Sequence, residues 1–129
     1  MERTEVEGGK GTVAFRDDGI IHLLWDSKVK IEATDAHAAM ATVNIIADGA
    51  EYPLLVDMTA TASLSRQARS VFGIRCAASR IGLLGSSPVD RILANWSMGL
   101  QNLPCPTRFF NSRTEAINWL LLPEPTSRS

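Results

Sequence analysis

Cysteine, aromatic residues and long apolar runs are all scarce in this chain of 129 residues. Its two cysteines, Cys76 and Cys105, lie too far apart to form a metal-ligand motif, and one pair does not make a disulfide framework. No apolar run approaches the roughly 18 residues that a membrane-spanning helix needs, and the acidic start at residues 1–7 lacks the apolar core of a signal peptide. We therefore expect a cytoplasmic protein with no membrane span, no metal site and no cofactor.

Lysine is absent from the second part of the chain, where every basic residue is arginine. Residues 1–57 contain 5 Lys/Arg and 11 Asp/Glu, a balance of −6, whereas residues 58–129 contain 8 and 3, a balance of +5. Either the early acids pair with these arginines within one fold, or a basic face meets an anionic partner or a second copy of the chain. The three tryptophans do not alternate with basic residues, so we expect no nucleic-acid partner.

Apolar periodicity and turn residues predict nine elements in the order β-β-α-β-α-β-α-β-α. We expect strands at 12–16, 20–26, 53–58, 80–85 and 107–111. Helices should begin at Thr34 or Asp35, near Ser65, at Ser87 and at Ser112, and the second of them should end at about Ser79. Asp17-Asp18-Gly19 predicts a tight hairpin, and Gly49 in the left-handed conformation should end the first helix. Lys28–Ile31 either extends the second strand or forms a loop.

An opening hairpin followed by βα units predicts an α/β fold with one mixed, mostly parallel sheet of about five strands. Helices should pack on this sheet in a single domain at residues 12–122. The segments 1–11 and 123–129 are polar tails, and such composition at a terminus is typical of disorder unless something holds the chain in place.

This order of elements resembles the STAS domains, the anti-sigma factor antagonist family, and most of all its uncharacterised small bacterial relatives. Leu54-Leu-Val-Asp57-Met-Thr59 is similar to the family's strand that ends in Asp-Leu-Ser, and 108–120 is similar to its last strand and helix. The resemblance covers about residues 12–122. It implies a non-enzymatic regulatory module that binds a protein partner, such as an anti-sigma-like kinase, or binds itself as a homodimer.

The chain departs from the family at the position that is usually phosphorylated. Regulatory members carry an Asp-Ser pair at the start of the helix after that strand, and the serine accepts the phosphate. Here Ser65 and Arg66 occupy the two positions, and Ala68 replaces the family's following glycine. Because arginine cannot accept a phosphate, we expect no switch at this position; Ser63 and Ser65 are the nearby hydroxyl groups.

Polar residues that follow the predicted parallel strands form the candidate site, since α/β folds place ligands at the carboxyl ends of such strands. Asp57 either binds a ligand or partner, or accepts hydrogen bonds from loop amides. Ser65 suits a helix cap, and Gly85-Ser86-Ser87-Pro88 leads into a helix N-terminus, which favours anions. No catalytic set is evident, and His22 and His37 are interpreted as structural or solvated. The expected binding residues are Asp57, Thr59, Ser63, Ser65, Arg66, Arg69, Ser86 and Ser87.

A second function remains open, because the same general fold resembles the CRAL-TRIO lipid-transfer group. A cavity lined by apolar residues would favour a small-molecule or lipid carrier, whereas a filled core with an exposed apolar patch would favour an interaction module. If the chain dimerises, we expect the predicted second helix at the contact, with Arg66 and Arg69 facing acids of the second copy such as Glu32, Asp35 or Glu51.

Overall fold

Short strands and two helices make up the part of the protein that the computed structural model describes, which is residues 3–59, 63–64, 78–85 and 106–122. The strands are β1 (Arg3–Glu5), β2 (Gly11–Phe15), β3 (Ile21–Trp25), β4 (Lys30–Ile31), β5 (Tyr52–Asp57), β6 (Ser63–Leu64), β7 (Ala78–Leu84) and β8 (Thr107–Phe110). The helices are α1 (Ala33–Ala47) and α2 (Arg113–Leu120).

Six of these strands form the main sheet in the order β1-β2-β3-β5-β7-β8. The pairs β1–β2 and β2–β3 are antiparallel, and the pairs β3–β5, β5–β7 and β7–β8 are parallel. The first hairpin turns at Asp17–Gly19, where Gly19 adopts a φ of +89° that suits glycine. The predicted fold class is therefore confirmed, with an opening hairpin, a mostly parallel remainder and helices on the sheet.

Apolar side chains cover both faces of the sheet, because the central strands are flanked on both sides and packed by helices. One face packs against α1 through residues such as Ile21, Leu23, Leu54 and Val56. The other face packs against α2, and its cluster comprises Ile20, Leu55, Leu84, Phe110, Ala116 and Leu120. Alternate residues of a strand point to opposite faces, so β5 sends Leu55 and Asp57 to the α2 face.

The N-terminal segment that the sequence predicts as a polar tail contains strand β1. Its Arg3 guanidinium bonds the Thr12 hydroxyl at 2.7 Å, and the buried Val6 donates its N–H to the Gly11 carbonyl at 2.9 Å. Composition alone gives no sign of these contacts with β2. As a result the main sheet of the described residues has six strands, and the predicted set has about five.

Element boundaries differ from the sequence prediction at four further places. The N-cap of α1 is Glu32, and Asp35 lies three residues into the helix, where its carboxylate accepts the Glu32 N–H at 2.9 Å. Asp48 as well as Gly49 takes a positive φ after α1. Lys30 and Ile31 form β4, which pairs with β6 in a separate two-stranded sheet. Most of the predicted second helix lies outside the described residues, but its last two residues, Ala78 and Ser79, belong to β7.

Candidate functional site

Asp57 ends strand β5 on the α2 face, and only 5% of it is exposed to solvent. The three residues before it, Leu54–Val56, are fully buried because β5 lies between β3 and β7. One carboxylate oxygen, Oδ1, accepts the Thr59 N–H at 3.2 Å and the Thr59 hydroxyl at 2.9 Å. This is the hydrogen-bond pattern of an Asx-turn, in which an aspartate side chain bonds the backbone two residues later.

The other oxygen of Asp57, Oδ2, faces two basic side chains. His22 Nε2 of β3 lies 3.8 Å away and Arg113 Nη1, in the first residue of α2, lies 3.9 Å away. At both distances the side chains attract the carboxylate electrostatically, but neither distance is short enough for a direct hydrogen bond. Arg113 reaches the cluster from the surface, since 53% of its side chain is exposed. The cluster thus joins the carboxyl end of β5 to the start of α2.

Arg3 of β1 contacts the opposite edge of the His22 ring, with its Nη1 3.4 Å from His22 Nδ1. A guanidinium can only donate, so Nδ1 must act as the acceptor and a neutral ring carries its proton on Nε2. That proton faces Asp57, and Nε2 has no hydrogen-bond partner among the described residues. His22 is only 3% exposed. The contact with Arg3 therefore favours one tautomer of a buried ring.

The electrostatics of the cluster favour an ionised Asp57. Burial by itself would raise the pKa of Asp57, but the facing His22 ring, 3.8 Å away, and the two hydrogen bonds from Thr59 outweigh burial, so the pKa lies below its usual value. The pKa of Arg3 is lowered by its burial and by the like charge of Arg113, while Asp57 opposes both. A carboxylate with a depressed pKa takes up protons reluctantly, so Asp57 is a weak general base. The arrangement suits a structural role, in which Asp57 fixes the positions of the side chains at the carboxyl end of β5.

Two of the residues that we expected in the site, Asp57 and Thr59, are bonded to each other. Ser63 lies in β6 and pairs in register with Lys30 of β4, in the separate two-stranded sheet. Ser65, Arg66, Arg69, Ser86 and Ser87 lie outside the described residues. Their joint placement at one edge therefore stays a prediction.

Three members of the cluster were not among the expected binding residues: Arg3, His22 and Arg113. Strand alternation offered a signal for His22, because the partner strands pair His22 with Leu55 and Leu24 with Asp57 on one face. Arg113 follows the helix cap Ser112, whose hydroxyl accepts the Glu115 N–H at 3.3 Å. Because this cap is visible in the sequence, the position of Arg113 at the start of α2 was predictable. Arg3 gave no signal, since nothing in a polar segment predicts pairing with β2.

Within the described ranges, no group of three or more His, Cys, Asp or Glu side chains is placed to hold a metal ion. The helices among these residues are also too short or too polar to cross a membrane.

Comparisons with known proteins place the fold. The model of a family described as "Domain of unknown function (DUF7793)" matches residues 14–122. The chain is similar to the crystal structure of an uncharacterised protein of the DUF3478 family with a SpoIIAA-like fold from Shewanella loihica PV-4. That likeness has 16% identity and a TM-score of 0.59 over 85% of this chain and 91% of that one. The fold is therefore SpoIIAA-like, that is, STAS-like.

A second solved structure is a protein with unknown function from Arthrobacter sp. FB24. It is 50% identical to this chain, over 86% of this chain and 99% of that one, with a TM-score of 0.36. No curated protein matches the chain.

Proposed function

We propose that this chain, which belongs to the family described as "Domain of unknown function (DUF7793)", is a non-enzymatic regulatory module that binds a protein partner. The binding surface is the edge of the sheet at the end of β5, around Asp57. The observation that carries this proposal is that the Asp57 carboxylate faces Thr59, His22 and Arg113 of its own chain. Because the Asp57 carboxylate is occupied by these contacts, it positions the side chains around it, and those side chains bind the partner.

Arg113 and Thr59 are the exposed members of the cluster, and Arg3 is half-buried. Arg3 and Arg113 carry two positive charges against one negative charge on Asp57, so these three side chains sum to +1. A guanidinium that is already partly oriented by a neighbouring carboxylate loses less freedom when it binds a further acid. We therefore infer that the partner presents an Asp or Glu side chain to Arg113.

The STAS-like fold adds support by analogy, since the family it resembles includes anti-sigma factor antagonists that bind kinase partners. Arg66 occupies the usual phosphoacceptor position, so binding here is constitutive and is not switched by phosphate at that position.

The test is affinity purification of the tagged chain from its native cells, followed by mass spectrometry of both proteins and small molecules. We expect a protein partner that wild type retains and that Arg113→Ala loses, with affinity reduced roughly tenfold or more. Arg16→Ala is the matched control, because Arg16 is also a partly exposed arginine but lies at the first hairpin, at the end of β3 opposite the Asp57 edge. Thermal unfolding of each variant checks that the fold is kept.

Three other outcomes would count against the proposal. Equal loss of the partner in Arg16→Ala would show that general charge, and not the Asp57 edge, does the binding. Copurification of a lipid or other apolar small molecule without a protein would favour the carrier. Turnover of a copurified compound by wild type would make the chain an enzyme.

A further inference from the structure

Helix α1 lacks the charged outer face that a surface helix normally has. Between Ala36 and Ala47 it contains no Lys, Arg, Asp or Glu, and its single titratable side chain there is His37. Its inward side packs on the sheet through Ala36, Ala39, Met40, Val43 and Ala47. Helices that are apolar around most of their circumference are usually covered on more than one side.

The outward side of α1 is nevertheless exposed. Ile45 is 77% exposed, more than any other large hydrophobic residue that the structure describes. Its neighbours on this side are the exposed His37, Ala41 and Asn44. Thr42 does not make the face more polar, because its hydroxyl donates to the Ala38 carbonyl at 2.9 Å. We define the α1 outer face as the exposed His37, Ala41, Asn44 and Ile45 together with the half-buried Ala38 at its edge; its side chains are mostly small and include no Lys, Arg, Asp or Glu.

We propose that the α1 outer face, and not the second helix expected from the sequence, is the contact between two copies of this chain, packed as antiparallel helices across a two-fold axis. A face without formal charge can meet itself without repulsion between like charges. Alanines at positions 38 and 41 allow the two helix axes to approach to about 8 Å, the short end of the usual range.

Charges beyond the two ends of α1 are complementary in this arrangement. Lys28 and Lys30 are exposed just before the helix, and Asp48 is exposed just after it. Glu32 is the one acid among residues 28–32, so the two lysines outnumber it next to the helix start. An antiparallel pair places Asp48 of one copy opposite the lysine end of the other, twice. An encounter in the parallel orientation would instead bring like ends together.

The helix alone is too small for a stable contact, so residues beside it must add buried area. A helix of 15 residues is about 22 Å long and about 10 Å wide, so one side of it covers about 220 Å², whereas a standard interface buries roughly 800 Å² per partner. Phe15 lies on the same face of the sheet, at the end where α1 finishes, and is 38% exposed with its ring 4.6 Å from that of Tyr52. These rings extend the apolar surface beyond Ile45.

This contact is separate from the proposed binding edge. Asp57 points to the α2 face of the sheet, whereas α1 covers the opposite face. A dimer could therefore hold two partner sites facing away from the contact, and the loss of either function leaves the other measurable.

Sedimentation velocity of the full chain tests the proposal. At about 50 µM we expect a dimer for wild type and a monomer for Ile45→Glu, whose dissociation constant should rise more than roughly tenfold. Leu122→Glu is the matched control, since Leu122 is 54% exposed at the end of α2 and should leave the dimer unchanged. Raising salt should change the dissociation constant by less than about threefold, because apolar burial supplies most of the affinity.

A covalent readout fixes the orientation. Ala41 is near the middle of α1, so an antiparallel pair brings the two copies of it together near the axis. In a background of Cys76→Ser and Cys105→Ser, Ala41→Cys should form a disulfide-linked dimer on mild oxidation and Leu122→Cys should not. A monomeric wild type at about 100 µM, a dimer that survives Ile45→Glu, or equal cross-linking of both cysteine variants would overturn the proposal.

Discussion

At the scale of residues, the buried polar side chains connect elements that are far apart in the chain. Asp35 of α1 binds Lys10 at 2.8 Å, and Arg80 of β7 donates to the Trp119 carbonyl of α2 at 2.7 Å. Asp57 draws Arg113 toward β5 in the same way. Because an unpaired buried polar group is costly, each such contact favours one relative placement of two elements over the alternatives.

Replacement of Asp57 tests how much its cluster stabilises the fold. We expect Asp57→Asn to lower the free energy of unfolding at pH 7 by about 1–3 kcal/mol, because the buried carboxylate loses its charge toward His22 and Arg113. Urea unfolding measures the change. Asp26→Asn is the control, since Asp26 is exposed and its replacement should cost less than about 0.5 kcal/mol.

The pH dependence of the same variant has a defined sign. The pKa of Asp57 is lower in the folded protein than in the unfolded chain, so its stabilisation is present above the unfolded value of about 4 and is lost as pH falls through the folded value. The stability difference between wild type and Asp57→Asn should therefore be largest above about pH 5 and shrink toward pH 2. A constant difference over this range would contradict the ionised cluster.

At the scale of elements, the start of α1 depends on one carboxylate that serves two donors. Asp35 accepts the Glu32 N–H at 2.9 Å and the Lys10 ammonium at 2.8 Å. Burial would raise the pKa of Asp35, but these two contacts lower it overall. The same contacts attach α1 to the loop before β2.

We expect Asp35→Ala to destabilise the protein by about 1–2 kcal/mol, the usual cost of a lost helix cap. Asp35→Asn should fall between Asp35→Ala and wild type, because its amide oxygen can still accept the Glu32 N–H while the attraction to Lys10 is lost. Thermal unfolding of the three proteins gives the order. An Asp35→Asn variant as unstable as Asp35→Ala would assign the whole effect to the ion pair.

Two glycines let elements approach closely, and they differ in what they face. A Cβ at Gly11 would lie 2.8 Å from the Leu24 carbonyl oxygen, which belongs to the backbone of β3. A Cβ at Gly82 would lie 3.3 Å from the Leu120 Cδ1 atom, at the flexible end of a side chain.

Gly11→Ala should therefore cost about 2–3 kcal/mol, because a strand cannot move away without loss of pairing. Gly82→Ala should change stability by less than about 1 kcal/mol, since Leu120 can shift and the unfolded chain loses freedom on substitution. Chemical denaturation of both variants makes the comparison. Equal costs would mean that α2 holds Leu120 as firmly as the sheet holds its own backbone.

At the scale of the whole molecule, stability should be greatest in the middle of the sheet. Strand β5 has parallel neighbours on both sides and buries its last four residues, whereas β1 has three residues and one neighbour in the described sheet. Central strands open only with global unfolding, and short edge strands open locally.

Hydrogen exchange followed by mass spectrometry should reflect this order. We expect amides in 54–58 to exchange at least about tenfold more slowly than those in 3–5. Arg3→Ala should speed exchange in β1 further while leaving β5 unchanged, because the Arg3 side chain bonds Thr12 and contacts His22. Equal protection of β1 and β5 would show that the first strand opens only with the whole domain.

Local chemistry in the sequence determined most of the fold. The Asp17–Gly19 turn, the apolar run before Asp57 and the Ser112 cap each act within a few residues, so periodicity and turn propensity were enough to predict them. The bonded pair of Asp57 and Thr59 is equally local.

Tertiary structure alone decided what surrounds that pair. Arg3, His22 and Arg113 come from three different elements, and they converge on Asp57 because strand order and register place β1, β3 and the start of α2 at one edge. The pairing of β1 with β2 also could not be predicted from local sequence. A polar segment can bond water equally well, and only the presence of β2 beside it makes the strand form. A sequence encodes preferences of neighbours along the chain, whereas contacts at long separation depend on the packing of every element between them.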